Sequence, residues 1–256
     1  MAFGTLGTPD ETYSEMDDLL VDGGSMTYMS DGLGGTASIS DGAGVRSYIN
    51  GTGGLGTGIY GDVAHRYRTV CCLARILSVS AKAQIIDTDV SGANRNVQFY
   101  LTATGELECI WLSNEEPGTE TITTVGTYDN STPTIFCYTL DVGTVGSTSD
   151  HAMKIFAAPL FGAIEEITLV QSDDLQYWTS IATATFGAAP GGSQPMPNGS
   201  WIGQVRSWYG ASSTKFADLS AFQQIQLEYQ TLSNSSNGQG NSVWNQAGHN
   251  KIGRIS

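Results

Sequence analysis

Chemistry in this chain would have to come from its acids, because 25 Asp and Glu side chains stand against 11 Lys and Arg and three His. Hydrolysis of a glycosidic bond needs two carboxylates facing one another across the sugar, which on a strand means acids at alternate positions. Glu115 and Glu116, with Glu120, fall around Pro117 in a turn, and the adjacent pair Glu165-Glu166 would point to opposite faces of a strand. His65, His151 and His249 accompany no G-x-S-x-G elbow, and Asp150-His151 reads as a solvated pair at a loop-to-strand junction. Cys71, Cys72, Cys109 and Cys137 lack C-x-x-C spacing and sit in apolar runs, where thiols are buried and inert rather than nucleophilic or zinc-bound. The expectation is therefore a protein that is not an enzyme. Sugar binding needs aromatic and polar side chains exposed together. Tyr177-Trp178, following Ser172-Asp173-Asp174 in a polar stretch, is the candidate ligand-facing group, whereas Trp208 reads as core.

The elements that would carry these residues are strands. Charged residues make up 14% of the chain, against roughly 25% in typical soluble domains, and 32 glycines accompany abundant Ser, Thr and Asn. Apolar runs recur at 67–79, 83–86, 97–101, 107–112, 121–125, 134–142, 152–157 and 164–170, broken by turn stretches such as Thr104-Gly105. Strands arriving at that interval with no helical period between them predict a two-sheet antiparallel sandwich. Ser30-Asp31-Gly32 and Ser40-Asp41-Gly42 bracket the alternating stretch Thr36 to Ile39 as turns around one short strand. Ile181 to Phe186 and Trp201 to Tyr209 alternate in the same way. One helix is signalled by an S-x-x-Q capping pattern at Ser220 and Gln223, with Phe222, Ile225, Tyr229 and Leu232 on one face.

The ends differ from the middle. Residues 1–45 contain eight acids and no Lys or Arg, so 1–25 reads as an acidic N-terminal arm, with a short helix over Glu11 to Leu20 as an option. Residues 26–232 form the sandwich, and 233–256 a polar, slightly basic C-terminal tail. The string Gly51-Thr52-Gly53-Gly54-Leu55-Gly56 matches a dinucleotide fingerprint but lacks its strand and helix, and reads as accidental. The sequons at Asn50, Asn130, Asn198 and Asn234 carry little weight in so Ser/Thr/Asn-rich a chain. A net charge of −14 disfavours nucleic acid and anionic membranes as partners. No apolar stretch reaches about 18 residues and the first residues lack a secretory pattern, so synthesis in a cytosol is expected.

Two segments resemble a known family. Gly203-Gln204-Val205-Arg206-Ser207-Trp208, followed by Asp218-Leu219-Ser220 and Gln224-Ile225, is similar to the closing strand and helix of laminin-G-like domains in the concanavalin A-like lectin/glucanase superfamily. Ile85 to Asp89 and Val97 to Leu107 resemble that family's F-x-L-x-x-x-G-x-L hairpin. The resemblance covers about Met26 to Leu232 and implies a jelly-roll sandwich; the glycine-rich segment and the Cys71-Cys72 pair match no part of it. The superfamily's glucanases carry catalytic acids as E-x-D-x-x-E on one strand, a string absent here. Its members often bind calcium through loop carboxylates. Asp87, Asp89, Asp129, Asp141, Asp173 and Asp174 lie in or beside turns, with Asp87 and Asp89 the metal candidates, although turn-forming Asp needs no metal. Such modules also recur among bacteriophage virion proteins. The expectation that follows is a structural component of a virus particle, a capsid decoration or a head- or tail-attached protein. It would contact capsid or other virion proteins as a homo-oligomer, with a trimer favoured. The alternative is a carbohydrate-binding module, with Asp173, Asp174, Tyr177 and Trp178 at its ligand.

Overall fold

Every apolar run described pairs antiparallel with a neighbour, and the strands sort into two sheets. The computed structural model describes residues 6–50, 66–89, 97–112, 119–141, 151–171 and 183–237. The first sheet runs in the order β13 (Glu165–Gln171), β12 (His151–Pro159), β11 (Thr134–Asp141), β6 (Tyr67–Arg75), β15 (Trp201–Gly210), β4 (Thr36–Ile39) and β3 (Thr27–Ser30), and β1 (Glu11–Tyr13) joins β15 beyond the end of β4. The second runs β10 (Thr119–Thr127), β9 (Glu106–Leu112), β8 (Val97–Leu101), β7 (Ala83–Asp89), β14 (Thr183–Phe186), β5 (Arg46–Asn50) and β2 (Leu20–Asp22). The all-β jelly-roll sandwich expected from the sequence, with one C-terminal helix, is what the chain forms.

Two apolar layers hold it. Val70, Cys72, Phe136, Tyr138, Ile155 and Val205 from the first sheet meet Ile86, Val97, Phe99, Cys109, Trp111 and Phe186 from the second. The helix α1 (Leu219–Asn237) covers the other face of the first sheet, placing Phe222, Ile225 and Tyr229 on Cys71, Ile135, Cys137, Phe156, Trp201 and Trp208. Phe222 stacks on Phe156 with ring centroids 4.8 Å apart, and the Tyr229 hydroxyl donates to the Gln204 carbonyl at 3.0 Å. Burial on both faces explains why β6 and β11 read as continuous apolar runs rather than as alternation. It also separates the adjacent cysteines: Cys72 faces the inter-sheet core and Cys71 the helix. All four cysteines are free thiols and fully buried, and burial pushes Cys72, Cys109 and Cys137 well above the usual thiol range.

The turns follow local chemistry. Asp31 Oδ1 accepts from the backbone N–H of Leu33 and Gly35 at 2.7 and 2.9 Å, and Asp41 Oδ1 accepts from Ala43 at 2.8 Å and Gly44 at 3.1 Å. These two Asx turns bracket β4 as the sequence predicts. The turn from β8 to β9 needs Gly105, whose φ is +90° and whose missing Cβ would lie 2.5 Å from Asp129 Oδ1.

Four expectations are corrected. The acidic segment 1–25 is part of the sandwich from residue 10 onward. Its β1 pairs with β15, Met16 is fully buried between the sheets, and β2 pairs with β5, so the segment serves both sheets. Two of its acids have basic partners: Asp10 Oδ2 accepts from Lys215 Nζ and from the Tyr209 N–H, both at 2.8 Å, and Asp22 pairs with Arg46. No α-helix forms over Glu11 to Leu20, where a 3-10 turn at Met16–Asp18 links the two strands. The helix cap is Asp218 rather than Ser220: Asp218 Oδ1 accepts from the Ala221 N–H at 2.7 Å, and the Ser220 hydroxyl only supports that carboxylate. At its far end α1 continues through Asn237 with Ser233 buried, so helix occupies the start of the segment read as tail.

Candidate functional site

Period-two alternation leaves each strand of the second sheet with one face in the core and one outside it. In β8, Val97, Phe99 and Leu101 point inward; in β9, Leu107, Cys109 and Trp111 do; in β14, Ala184 and Phe186 do. The opposite phase carries Gln98 and Tyr100, Glu106, Glu108 and Ile110, and Thr185. Register then assembles two rows on the outer face. One row runs Tyr48, Thr185, Asp87, Gln98, Ile110 and Thr121, and the other Tyr100, Glu108 and Thr123.

Side chains on these rows are knitted together. The Lys82 ammonium, just before β7, lies 3.5 Å from the centroid of the Tyr100 ring and donates to Gln98 Oε1 at 2.7 Å. Thr123 Oγ1 donates to Glu108 Oε2 at 2.9 Å. Burial holds Lys82 below the usual ammonium range, against the opposing pull of Asp87 and Glu108. Glu106 is held below the usual carboxyl range by hydrogen bonds from Thr102 and then Thr104, so it stays ionised. Asp87 is 1% exposed and Thr185 2%, and Thr185 Oγ1 finds no hydrogen-bond partner among the described residues. A buried hydroxyl without a partner is costly, which distinguishes Thr185 from the solvated positions of the same row. Tyr100 is buried as well, so what the face offers at its surface is the Glu106 and Glu108 carboxylates, the Gln98 amide, the Thr121 and Thr123 hydroxyls and apolar area on Ile110.

The other acids weighed from sequence do different work. Glu165 and Glu166 do point to opposite faces of β13. Glu165 reaches across to β10, accepting from the Val125 and Gly126 N–H groups at 2.6 and 3.0 Å and from the Tyr128 hydroxyl at 2.6 Å, while Glu166 pairs with Lys154 at 2.8 Å. Asp141 takes both a 2.6 Å and a 3.0 Å bond from Arg66, and Asp129 accepts from the Val79 N–H at 3.2 Å, so both are structural. Asp87 lies on β7, in the row just described. Asp89 ends that strand, and its side chain is outside the described residues, as are Asp173, Asp174, Tyr177 and Trp178. Among the described residues no group of three or more His, Cys, Asp or Glu is placed to hold a metal ion, and no helix is long and apolar enough to cross a membrane. Trp111, Trp201 and Trp208 are core residues. Lys82, Gln98, Tyr100 and Glu108 are not among the ligand-facing residues expected from the sequence, although the polar phase of Val97 to Leu101 and of Glu106 to Leu112 carries the signal of a sheet face.

No protein-family model and no curated protein sequence matches this chain. Solved structures do match in shape. The binding domain of botulinum neurotoxin DC, in complex with SialylT, superposes with a TM-score of 0.54 at 12% identity, over 90% of this chain and 52% of that one. Domain 4 of an extracellular arabinanase from Geobacillus stearothermophilus, in complex with arabinotriose, gives 0.52 at 13% identity, over 88% of this chain and 98% of that one. An alginate lyase from Aplysia kurodai gives 0.52 at 11% identity, over 79% and 100%. At such identities the likeness establishes the fold alone, a two-sheet β-sandwich of jelly-roll type. The chain spans about half the length of the toxin domain it matches.

Proposed function

We propose that this chain is a non-enzymatic glycan-binding module whose ligand face is the outer side of the second sheet. The observation that carries the reading is the array in which Lys82 bonds Gln98 and covers the buried Tyr100 ring, with Glu108 opposite Tyr100 in register, beside a buried Thr185 hydroxyl that has no partner among the described residues. Amide, hydroxyl and carboxylate groups set around an aromatic ring are what a polyhydroxyl ligand requires. Two of the structures of the same fold were solved with sugars, arabinotriose and a sialylated ligand, which supports the choice of ligand class. A glycan array probed with the purified chain tests the proposal, with Gln98→Ala and Glu108→Ala as controls. Binding that survives both substitutions would move the site elsewhere, and absence of binding to any sugar would overturn the reading.

A second reading keeps the laminin-G-like sandwich as a structural part of a bacteriophage particle, a homo-oligomer attached to capsid proteins. It rests on the resemblance of Gly203 to Trp208 and Asp218 to Ile225 alone, and its contact surface would be the cavity of about 410 Å³ between residues 6–9 and α1, lined by Leu6, Pro9, Trp208, Ile225 and Glu228. Mass spectrometry of purified particles decides it, since a shell component is recovered at a fixed ratio to the major shell protein.

A further inference from the structure

We infer that the outer face of the second sheet accepts uncharged glycans and rejects carboxylated ones, an inference that rests on the glycan-binding reading above. The argument is one of charge at close quarters. Glu106 and Glu108 project from the same side of β9 at alternate positions, about 7 Å apart, and register sets Asp87 on the same face two strands away. Asp22 and Arg46 stand opposite one another at the β2–β5 end of that face.

The cations present are already engaged. Arg46 pairs with Asp22 and donates to the Gly44 carbonyl at 3.4 Å. Lys82 covers the Tyr100 ring and donates to Gln98, with Asp87 and Glu108 as its nearest acidic partners. Recognition of a sugar carboxylate calls for a guanidinium fork or a free ammonium, and among the described residues this face offers neither. A carboxylate brought to Tyr100 would lie beside Glu108 and within reach of Glu106, where like charges repel in a partly desolvated site. The whole chain, at −14, adds repulsion at longer range that salt screens.

An uncharged sugar meets the same groups as partners. Glu106 and Glu108 accept hydrogen bonds from hydroxyls, and the Gln98 amide both donates and accepts. Thr121 and Thr123 contribute hydroxyls along the two rows. Ile110 offers apolar area to the C–H face of a pyranose or furanose ring.

The test titrates the full-length chain with matched sugars, lactose against sialyllactose and an uncharged xylo-oligosaccharide against oligogalacturonate, at about 20 and 150 mM salt. The expected result is binding of the uncharged member with the carboxylated one at least about tenfold weaker, the gap narrowing at the higher salt. The isosteric pair Glu106→Gln with Glu108→Gln should bring the gap to within about threefold. Equal or tighter binding of the carboxylated member overturns the charge selection and leaves glycan binding standing. A gap untouched by the double substitution overturns the assignment to these two carboxylates. Failure to bind any of the four sugars overturns both this inference and the reading beneath it.

Discussion

The Tyr128 hydroxyl donates to Glu165 Oε2 at 2.6 Å, and through that carboxylate the edge strand β10 of one sheet is tied to the edge strand β13 of the other. The same carboxylate accepts from the Val125 and Gly126 N–H groups, at the place where the register of β10 against β9 slips between Thr123 and Thr127. A bulge leaves backbone donors without a ladder partner, and Glu165 satisfies them from the opposite sheet. Glu165→Ala should therefore cost about 1–3 kcal/mol, more than Glu166→Ala, whose partly exposed pair with Lys154 is worth about 1 kcal/mol. Urea unfolding of both variants checks the order.

Alkaline stability should follow the buried phenols. Burial, and then the hydrogen bond to Glu165, raises Tyr128; burial, and then the bond to Glu11 at 2.8 Å, raises Tyr13; and burial raises Tyr229. A group raised in the folded state contributes stability that is complete below its unfolded value, near pH 10, and is lost as pH climbs toward the folded one. Melting temperature should stay level through neutral pH as far as these groups are concerned and fall steeply above about pH 10. Tyr128→Phe should flatten part of that fall, and a flat profile in the wild type would contradict it.

Helix docking and helix capping separate cleanly. Phe222→Ala removes the ring stacked on Phe156 and should cost about 3–5 kcal/mol. Asp218→Ala removes the cap and should cost about 1 kcal/mol, whereas Ser220→Ala should stay within about 0.5 kcal/mol. Denaturant midpoints for the three distinguish this arrangement from a cap at Ser220.

Thiol chemistry reports the packing. Ellman's reagent should label none of Cys71, Cys72, Cys109 and Cys137 in the native protein and all four after denaturation, because each is fully buried. Rapid labelling of the native state would place at least one outside the core.

Deleting residues 1–22 should remove two strands and the Met16 side chain together, and so abolish cooperative unfolding or lower the midpoint sharply. Circular dichroism during heating distinguishes this from a dispensable arm, which would leave the transition in place.

Local signals in the sequence determined the class of every element that depends on near neighbours. Period two marked the strands at Thr183–Phe186 and Trp201–Gly210, and Ser-Asp-Gly made the Asx turns around β4. Phe222, Ile225 and Tyr229 marked the buried face of the helix. These are legible because a side chain's face and a turn's hydrogen bonds are set within a few residues. The destiny of residues 10–22 was not legible, because a strand edge bonds backbone to backbone and takes little notice of side-chain charge when Lys215 and Arg46 stand opposite. Nor was the proposed ligand face. Tyr48, Lys82, Asp87, Gln98, Tyr100, Glu108 and Thr185 come from five strands and the residue before β7, and only the register of β5, β14, β7, β8 and β9 sets them side by side. Period two told which residues share a face of their own strand. Which strands lie next to one another is decided by packing two apolar layers at once, and that is a property of the tertiary structure alone.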